Sequence, residues 1–388
     1  MKKQKLLFVL GTRPEAVKLG PLIRMAKADS RFWVKVCSTG QHREMLKPVF
    51  KLFEITPDAD FDLMKPGQTL TGVTTGILEN MRSLLVGDRP DWVLVQGDTT
   101  TTMAGALSAF YEKIPVAHIE AGLRTGDISS PFPEELNRRV TGLIADLHFP
   151  PTAETEAFLK AEGVPANRIL QVGNTGIDAL LGTREAILNR PSLKEEMEKE
   201  FPFLDSKKKL ILVTVHRRES FGEPMKKILK AITELSRRDD VEFLIPLHMN
   251  PEVRKVASEV LTDARWVTSD STPGSSRIWL TEPQDYLKFV YLMMKCHFII
   301  SDSGGVQEEA PSLGKPVLVV RETTERPEAI KAGTSRLVGS ETDVILTECR
   351  RLLDQPSEYA KMAEAKNPFG DGRACARILD RLALEADR

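Results

Sequence analysis

Carboxylates end or follow two apolar runs in the first half of the sequence. Glu120 ends the run PVAHIE (115–120), and Asp98 follows the run DWVLVQ (91–96). An acid at the end of a buried strand is costly unless a proton or a cation accompanies it. Taken alone, Asp98 could cap the next helix and Glu120 could pair with Arg124. Together they indicate side chains that handle protons or bind a charged ligand.

Basic residues follow the first apolar run and also lie within the segment PFPEELNRR. In GTRPEAVK, Arg13 lies in a turn and Lys18 lies about one turn into a predicted helix, where both could reach an anion at the helix N-terminus. A capped helix start with a solvated lysine accounts for the same pattern equally well. Glu134 and Arg138 stand at i and i+4 on one helix face, and a surface ion pair is the alternative there.

These charged groups share one position relative to the predicted strands. The carboxyl ends of parallel strands meet at one edge of a sheet, and ligands of such sheets bind in the crevice beyond that edge. Three acids and three bases at this edge indicate acid–base chemistry on an anionic substrate. The six residues are Arg13, Lys18, Asp98, Glu120, Glu134 and Arg138.

The second half of the sequence carries a pattern typical of phosphate binding. The stretch FIISDSGGVQEEAPSLGKPV runs from a buried strand into Ser303, Gly304 and Gly305 and then into a helix. Glycine lets backbone N–H groups approach a phosphate, and the helix dipole favours its charge. Glu309 is placed to accept hydrogen bonds from a ribose. Phe289 is a possible stacking surface for a base, although an aromatic residue on such a helix is more often part of the core.

A histidine also follows a predicted strand in this half. His216 begins HRRESFG and is followed by two arginines. The combined pattern predicts a pocket for a nucleoside diphosphate.

The elements that position these groups alternate between strands and helices. The predicted strands are continuously apolar, which suits parallel sheets covered on both faces. The fold class is therefore α/β, with two Rossmann-like, doubly wound domains. The predicted boundaries give an N-terminal domain with the acid–base residues (1–190), a C-terminal domain that carries the predicted nucleoside-diphosphate pocket (191–370) and a final helix (371–388), with a hinge near the charged stretch 190–209.

Composition excludes several other classes of protein. A net charge of −1 gives no general argument for binding nucleic acid or an anionic membrane. No stretch approaches the roughly 20 apolar residues of a membrane span, and the first apolar run is too short for a secretory signal. Four scattered cysteines without CxxC predict buried thiols in a cytoplasmic protein, and six histidines without a ligand spacing predict no structural metal.

Seven motifs, in order and at the expected spacing, resemble the bacterial non-hydrolysing UDP-N-acetylglucosamine 2-epimerases. They are GTRPEAVK, GDTTTT, HIEAGLRTG, PFPEELNRR, HRRESFG, SDSGGVQEEAPSLGKPV and TTERPEA. The resemblance implies a GT-B-like fold, in which two Rossmann-like domains face each other across a cleft and the last helix crosses back to the first domain. It implies conversion of UDP-GlcNAc to UDP-ManNAc by a homodimer.

The resemblance also implies roles for individual residues. It assigns the six charged residues of the first half, with His216, to the reacting end of the substrate. It assigns Gln284, Phe289, Arg326, Glu309 and the Ser-Gly-Gly turn to the nucleotide. Three residues match an allosteric site for a second UDP-GlcNAc in the family: Gln41, His42 and Gln68.

The expected reaction needs no cofactor. The C2 proton of GlcNAc is not next to a carbonyl, and GTRPEAVK is not the GxGxxG fingerprint of a dinucleotide site. Elimination of UDP to an enzyme-bound 2-acetamidoglucal, followed by re-addition, is the remaining route. A hydrolysing epimerase, a GT-B glycosyltransferase and a silent UDP-sugar sensor are the alternatives.

Overall fold

The continuous apolar runs of the sequence form the strands of two parallel sheets. The computed structural model describes residues 3–41, 43–64 and 67–386, apart from the side chains of residues 43 and 218. By its internal contacts the chain divides into unit 1, residues 1–179 with 369–388, and unit 2, residues 180–368.

The sheet of unit 1 has the strand order β3-β2-β1-β4-β5-β6, with every pairing parallel. All residues of β4 and β5 are buried, as expected for strands covered on both faces. The strands are β1 (Gln4–Leu10), β2 (Phe32–Ser38), β3 (Ala59–Asp60), β4 (Trp92–Gln96), β5 (Val116–Ile119) and β6 (Leu147–Phe149). This is the strand order of a Rossmann sheet, whose ligand crevice opens where the order reverses, between β1 and β4.

The sheet of unit 2 has the order β13-β12-β11-β7-β8-β10-β9 and is also entirely parallel. Its order reverses between β7 and β11, so a second crevice opens beyond the carboxyl ends of these two strands. The strands are β7 (Lys209–Thr214), β8 (Val241–Pro246), β9 (Arg265–Trp266), β10 (Ile278–Thr281), β11 (Phe298–Ser301), β12 (Val317–Val319) and β13 (Ser335–Leu337).

Helices connect successive strands and cover the sheets. In unit 1, or beginning there, they are α1 (Arg13–Ala28), α2 (Arg43–Phe53), α3 (Leu70–Gly87), α4 (Thr100–Tyr111), α5 (Glu134–Ile144), α6 (Ala153–Ala161) and α7 (Thr175–Asn189). In unit 2 they are α8 (Pro191–Glu200), α9 (Glu223–Leu235), α10 (Pro251–Val260), α11 (Tyr286–Lys295), α12 (Gly304–Glu309), α13 (Pro327–Lys331), α14 (Thr342–Asp354) and α15 (Pro356–Ala363). The last helix, α16 (Ala374–Ala383), belongs to unit 1.

Helix α16 is held to unit 1 by specific contacts. The backbone N–H of Cys375 donates to Asp178, and the guanidinium of Arg377 donates to the carbonyl of Val172. Its buried face carries Ile378 and other apolar residues.

A helix occupies part of the charged stretch in which we predicted a hinge. Pro191 starts α8, because proline fits the first turn of a helix, where its missing N–H is not needed. Met197 is the buried residue of this helix, and Phe201 and Phe203 follow it into the core of unit 2. Charge along this stretch therefore marks the exposed face of a helix.

Candidate active site

The carboxylate of Glu120 lies at the crevice of unit 1, where it meets Lys18 and Gln96. Lys18 Nζ is 2.6 Å from Glu120 Oε1 and 2.5 Å from Oε2, and Gln96 Nε2 also donates to Oε2. Lys18 comes from α1, Gln96 ends β4 and Glu120 follows β5. The cation for this acid is therefore 102 residues away in the chain, whereas Arg124 pairs with Glu162 instead.

The backbone of Glu120 adopts an unusual conformation. Its φ is +61°, in the left-handed region that side chains with a Cβ enter at a cost of about 1–2 kcal/mol. The N–H groups of Glu120 and Ala121 both donate to the carbonyl of Phe149, at 3.1 and 3.4 Å. Strain of this kind persists where the surrounding structure fixes it, and it is enriched at functional sites.

Asp98 forms a second acid–base pair at the same edge of the sheet. Its Oδ2 lies 2.6 Å from Arg138 Nη2, and its carbonyl accepts from Asn137 Nδ2 at 2.9 Å. Burial raises the pKa of Asp98 above its usual value and Glu134 adds to the rise, while Arg138 and Lys18 oppose it. Lys18 therefore acts electrostatically on both acids, and Asp98 and Glu120 belong to one charged network.

Arg138 is held by a buried acid that the sequence motifs did not single out. Glu135 is fully buried; its Oε2 lies 3.4 Å from Arg138 Nη1 and its Oε1 lies 2.9 Å from Arg139 Nε. The N–H of Thr125 also donates to Glu135. Helix α5 therefore directs Glu135 into the protein, and Glu134, one residue earlier, is half-buried in the first turn.

A second buried acid joins the turn after β1 to the loop after β4. Glu15 accepts hydrogen bonds from the N–H groups of Gly11 and Thr12, at 2.9 and 2.7 Å. It also accepts from the hydroxyls of Thr99 and Thr102, at 2.6 and 3.1 Å. Burial raises the pKa of Glu15, and these donors oppose that rise. Glu15 thus fixes the GTRPE turn, which begins α1 with the exposed Arg13.

The crevice of unit 2 brings together residues that follow β7 and β11. His216 and Arg217 follow β7, and residues 302–305 follow β11. A Cβ placed on Gly304 would lie 3.8 Å from Arg326 Cζ and 3.9 Å from Arg217 Nη2. Two guanidinium groups therefore lie beside the glycine backbone, an arrangement suited to a phosphate or diphosphate.

A network of side chains supports this turn. Arg326 Nε donates to the buried Glu308, and Thr324 Oγ1 donates to Gln307 Oε1 at 2.7 Å. Glu309 is half-buried at the end of α12. These contacts fix α12 against the segment after β12.

The predicted base-binding residues lie on the segment around the start of α11. Phe289 is half-buried and packs against the core of unit 2, which is the usual place for an aromatic residue on such a helix. Gln284 Nε2 donates to the carbonyl of Glu282 at 2.7 Å.

The predicted allosteric residues lie in unit 1. Gln41 Oε1 accepts from Thr101 Oγ1 at 3.3 Å, and Gln68 is half-buried just before α3. His42 lies outside the described residues.

Metal-ligating clusters and membrane spans are both absent from residues 3–41, 43–64 and 67–386. No group of three or more His, Cys, Asp and Glu side chains in these ranges could hold a metal ion. No helix within them is long and apolar enough to cross a membrane. All four cysteines are buried free thiols.

Comparison with known proteins decides the family. The family model for UDP-N-acetylglucosamine 2-epimerase matches residues 24–383. The UDP-N-acetylglucosamine 2-epimerase of Salmonella typhimurium is 51% identical over 97% of this chain and 98% of its own length. The chain belongs to the UDP-N-acetylglucosamine 2-epimerase family. The predicted resemblance and the predicted isomerase class are thereby confirmed.

Solved structures of epimerases confirm the predicted GT-B-like α/β fold class. The UDP-GlcNAc 2-epimerase of Neisseria meningitidis, solved with UDP-GlcNAc bound, has a TM-score of 0.86 and 49% identity, and the match covers 97% of this chain and 99% of that one. The enzyme of Methanocaldococcus jannaschii, solved with UDP-GlcNAc and UDP, has a TM-score of 0.78 and 32% identity, covering 98% and 99%.

Within this epimerase-family chain, the roles of the predicted site residues stay predictions. The structure brings Lys18, Asp98, Glu120 and Arg138 together in unit 1, and it brings His216, Arg326 and the Ser-Gly-Gly turn together in unit 2. Sequence reasoning missed the buried acids Glu15 and Glu135, and a third, Asp302. The capping-box spacing of TRPE would have pointed to Glu15; burial of the other two is decided by packing.

Proposed function

We propose that this epimerase-family chain interconverts UDP-GlcNAc and UDP-ManNAc at C2 by eliminating and re-adding UDP, without net hydrolysis. The observation that carries the proposal is the charged network of unit 1, in which Lys18 accompanies Glu120 and Arg138 accompanies Asp98. Relatives solved with UDP-GlcNAc and UDP support the choice of substrate.

Elimination fits the chemistry of the substrate. The C2 hydrogen is not acidified by a neighbouring carbonyl, so its removal must be coupled to loss of a leaving group. A carboxylate takes the C2 proton, the C–H electrons form a C1–C2 double bond, and the C1–O electrons leave with UDP. A proton then arrives on the opposite face of C2, and UDP adds back to C1. Atoms and charges balance without any oxidant.

The two steps at C2 require acids and bases on both faces of the sugar. We assign this proton transfer to Asp98, Glu120 and Glu134. The raised pKa of Asp98, caused mainly by burial, makes it a stronger base than an ordinary carboxylate when it is ionised. Lys18 and Arg138 balance the charge of the network. We assign Arg13, which is exposed at the start of α1, to an anionic group of the substrate.

The departing diphosphate needs positive charge and N–H donors. We assign this role to Arg217, Arg326 and the backbone of Ser303, Gly304 and Gly305, with His216 beside them. Gln284, Phe289 and Glu309 complete the proposed nucleotide site.

The reaction is tested by incubating the protein with UDP-GlcNAc in D₂O and following the products by NMR. We expect UDP-ManNAc with deuterium at C2. Free ManNAc together with UDP would show a hydrolysing epimerase. Unchanged substrate would leave a glycosyltransferase or a sugar sensor, and adding candidate acceptors would separate these two.

The assignment of the acids is tested by Asp98→Asn, Glu120→Gln and Glu134→Gln. We expect each to lower turnover by roughly 10²-fold or more, the usual contribution of a general acid or base. Glu156→Gln is the matched control, because Glu156 lies on α6, outside the proposed site, and pairs there with Lys160. Near-normal turnover in all three variants would refute the assignment.

We further propose that the chain forms a homodimer through helices α3 to α5. These neighbouring helices end in exposed apolar side chains, and the most exposed are Val86, Phe110, Tyr111 and Leu143. Exposed apolar side chains at the ends of neighbouring helices support an interaction site there. Sedimentation velocity should show a dimer that Phe110→Glu with Leu143→Glu dissociates; a wild-type monomer would exclude it.

We also propose that Gln41, His42 and Gln68 form an activating site for a second UDP-GlcNAc. A hyperbolic rate curve for UDP-ManNAc, measured without UDP-GlcNAc, would count against this. Cytoplasmic localisation stays a prediction, supported by the four free thiols; disulfides between them in protein isolated from cells would oppose it.

A further inference from the structure

A buried carboxylate joins the two loops of the unit 2 crevice. Asp302 lies in the turn between β11 and α12 and has 0% exposure. Its Oδ2 accepts from the N–H of His216 at 2.9 Å, from the N–H of Arg217 at 2.8 Å and from Ser220 Oγ at 2.9 Å. All three donors belong to the loop after β7, which is the neighbour of β11 in the sheet.

The second oxygen of Asp302 faces the imidazole of His216. Oδ1 is 3.5 Å from His216 Nδ1, and among the described residues it has no hydrogen-bond partner. A buried carboxylate oxygen is stabilised by a donor, and the nearest nitrogen of the imidazole is Nδ1. Asp302 therefore favours the form of His216 that carries a proton on Nδ1.

The same carboxylate places Arg217. By fixing the backbone of residues 216 and 217 against the turn that contains Gly304, it sets where the Arg217 side chain begins. Arg217 Nη2 then lies 3.9 Å from the Cβ position of Gly304, beside the proposed diphosphate. A second contact across the same two strands, Thr214 Oγ1 to Ser301 Oγ at 2.7 Å, reinforces the connection.

We propose that Asp302 is the positioning residue of the nucleotide end of the site. It holds His216 in one tautomer and orientation, as a carboxylate does for a reacting imidazole elsewhere. It also keeps the loop after β7 in register with the Ser-Gly-Gly turn. This inference rests on the proposed function for the role of His216, but its structural part does not depend on turnover.

The first test uses the wild-type protein and does not require activity. Nitrogen-15 chemical shifts of the His216 ring should show a neutral form protonated on Nδ1. Predominance of the Nε2-protonated tautomer would overturn the proposal. The ring of His248 stacks near that of His216, at 6.3 Å between centroids, so His248→Asn is needed to assign the resonances.

The second test is Asp302→Asn, which keeps the size of the side chain and removes its charge. We expect the midpoint of the His216 titration to move to lower pH by about one pH unit, because an adjacent carboxylate stabilises imidazolium. We expect turnover of UDP-GlcNAc to fall on the order of 10-fold to 100-fold. An unchanged titration of His216 in the folded variant would overturn the proposal even if turnover fell.

A matched control separates positioning from loss of a buried acid. Glu242 is a buried acid at the start of β8 in the same unit, where it accepts from the N–H of Asp205. Glu242→Gln should change stability but leave the His216 titration and turnover close to wild type. Equal losses of turnover in Glu242→Gln and Asp302→Asn would contradict a specific role for Asp302.

The two proposals fail in different ways. A wild-type protein that does not convert UDP-GlcNAc would refute the proposed function, yet the tautomer and the titration would still test Asp302. If Asp302→Asn does not fold, Ser220→Ala removes one donor and leaves the carboxylate. The His216 titration should then stay unchanged, and a large shift would show that the loop, rather than the carboxylate, sets it.

Discussion

Breaking the pair between Lys18 and Glu120 is the sharpest test of the charged network in unit 1. The Nζ lies 2.6 and 2.5 Å from the two carboxylate oxygens, and the side chains keep only 19% and 14% of their exposure. At an effective dielectric constant of about 20, two unit charges at this distance attract by about 6 kcal/mol. Desolvation of both groups offsets much of that attraction.

We therefore expect a coupling of about 2–3 kcal/mol between the two side chains, between the values typical of exposed and buried pairs. Lys18→Met should destabilise unit 1 by about 3 kcal/mol, because it leaves a partly buried carboxylate without this cation. Glu120→Gln should destabilise it by a similar amount. The double variant should cost about as much as one single variant, not the sum of two.

The free energies are measured by native-state hydrogen exchange at the amides of β4 and β5, which report on unit 1 alone. Lys160→Met with Glu156→Gln provides the control cycle. That pair has a similar distance, 2.7 Å, but side-chain exposures of 54% and 24% on the surface of α6. Its coupling should be about 0.5 kcal/mol or less. Additive effects of Lys18→Met and Glu120→Gln, to within about 0.5 kcal/mol, would refute the reasoning.

Two further predictions concern buried groups of unit 1. Burial lowers the pKa of His118 from 6.5 to about 3. Between pH 6.5 and pH 3 the unfolded chain therefore binds a proton at this histidine that the folded chain does not bind. The free energy of unfolding therefore falls as the pH is lowered through this range. In urea unfolding at pH 7, 5.5 and 4.5, His118→Gln should reduce this acid dependence by up to about 1.4 kcal/mol per pH unit, and an unchanged slope would contradict the prediction. Gly122→Ala should cost more than about 3 kcal/mol, because φ is +91° and the new Cβ would lie 2.2 Å from the carbonyl oxygen of Thr155. Gly126→Ala, with φ +85° and nothing within 4 Å, should cost only about 1–2 kcal/mol in thermal unfolding, and equal costs at the two glycines would show that the steric argument is wrong.

Much of the fold could be predicted from the sequence because its strands are unusually clear. The apolar runs DWVLVQ (91–96) and PVAHIE (115–120) predicted the strands β4 and β5 to within one residue at each end. Helix α8 was missed because its charged exposed face hides the single buried residue, Met197.

The candidate site also contains residues that could be predicted from the sequence and partners that could not. Motifs alone directed attention to Asp98, Glu120 and the Ser-Gly-Gly turn, because polar residues that directly follow buried parallel strands lie at the edge where such sheets bind ligands. The partners of these residues could not be predicted. Glu120 meets a lysine 102 positions away, and Asp98 meets Arg138, 40 positions away.

The sequence by itself determined the alternation of strand and helix, the family and the residues that carry charge at the strand ends, because these depend on local pattern and composition. Only the tertiary structure decided which charges are paired and which acids are buried. Little in the local sequence distinguishes Glu15, Glu135 and Asp302 from other acids. In the structure they are buried, and donors from other segments of the chain bind their carboxylates. Burying a carboxylate is favourable only when such donors arrive together, and no local stretch of chain can supply them.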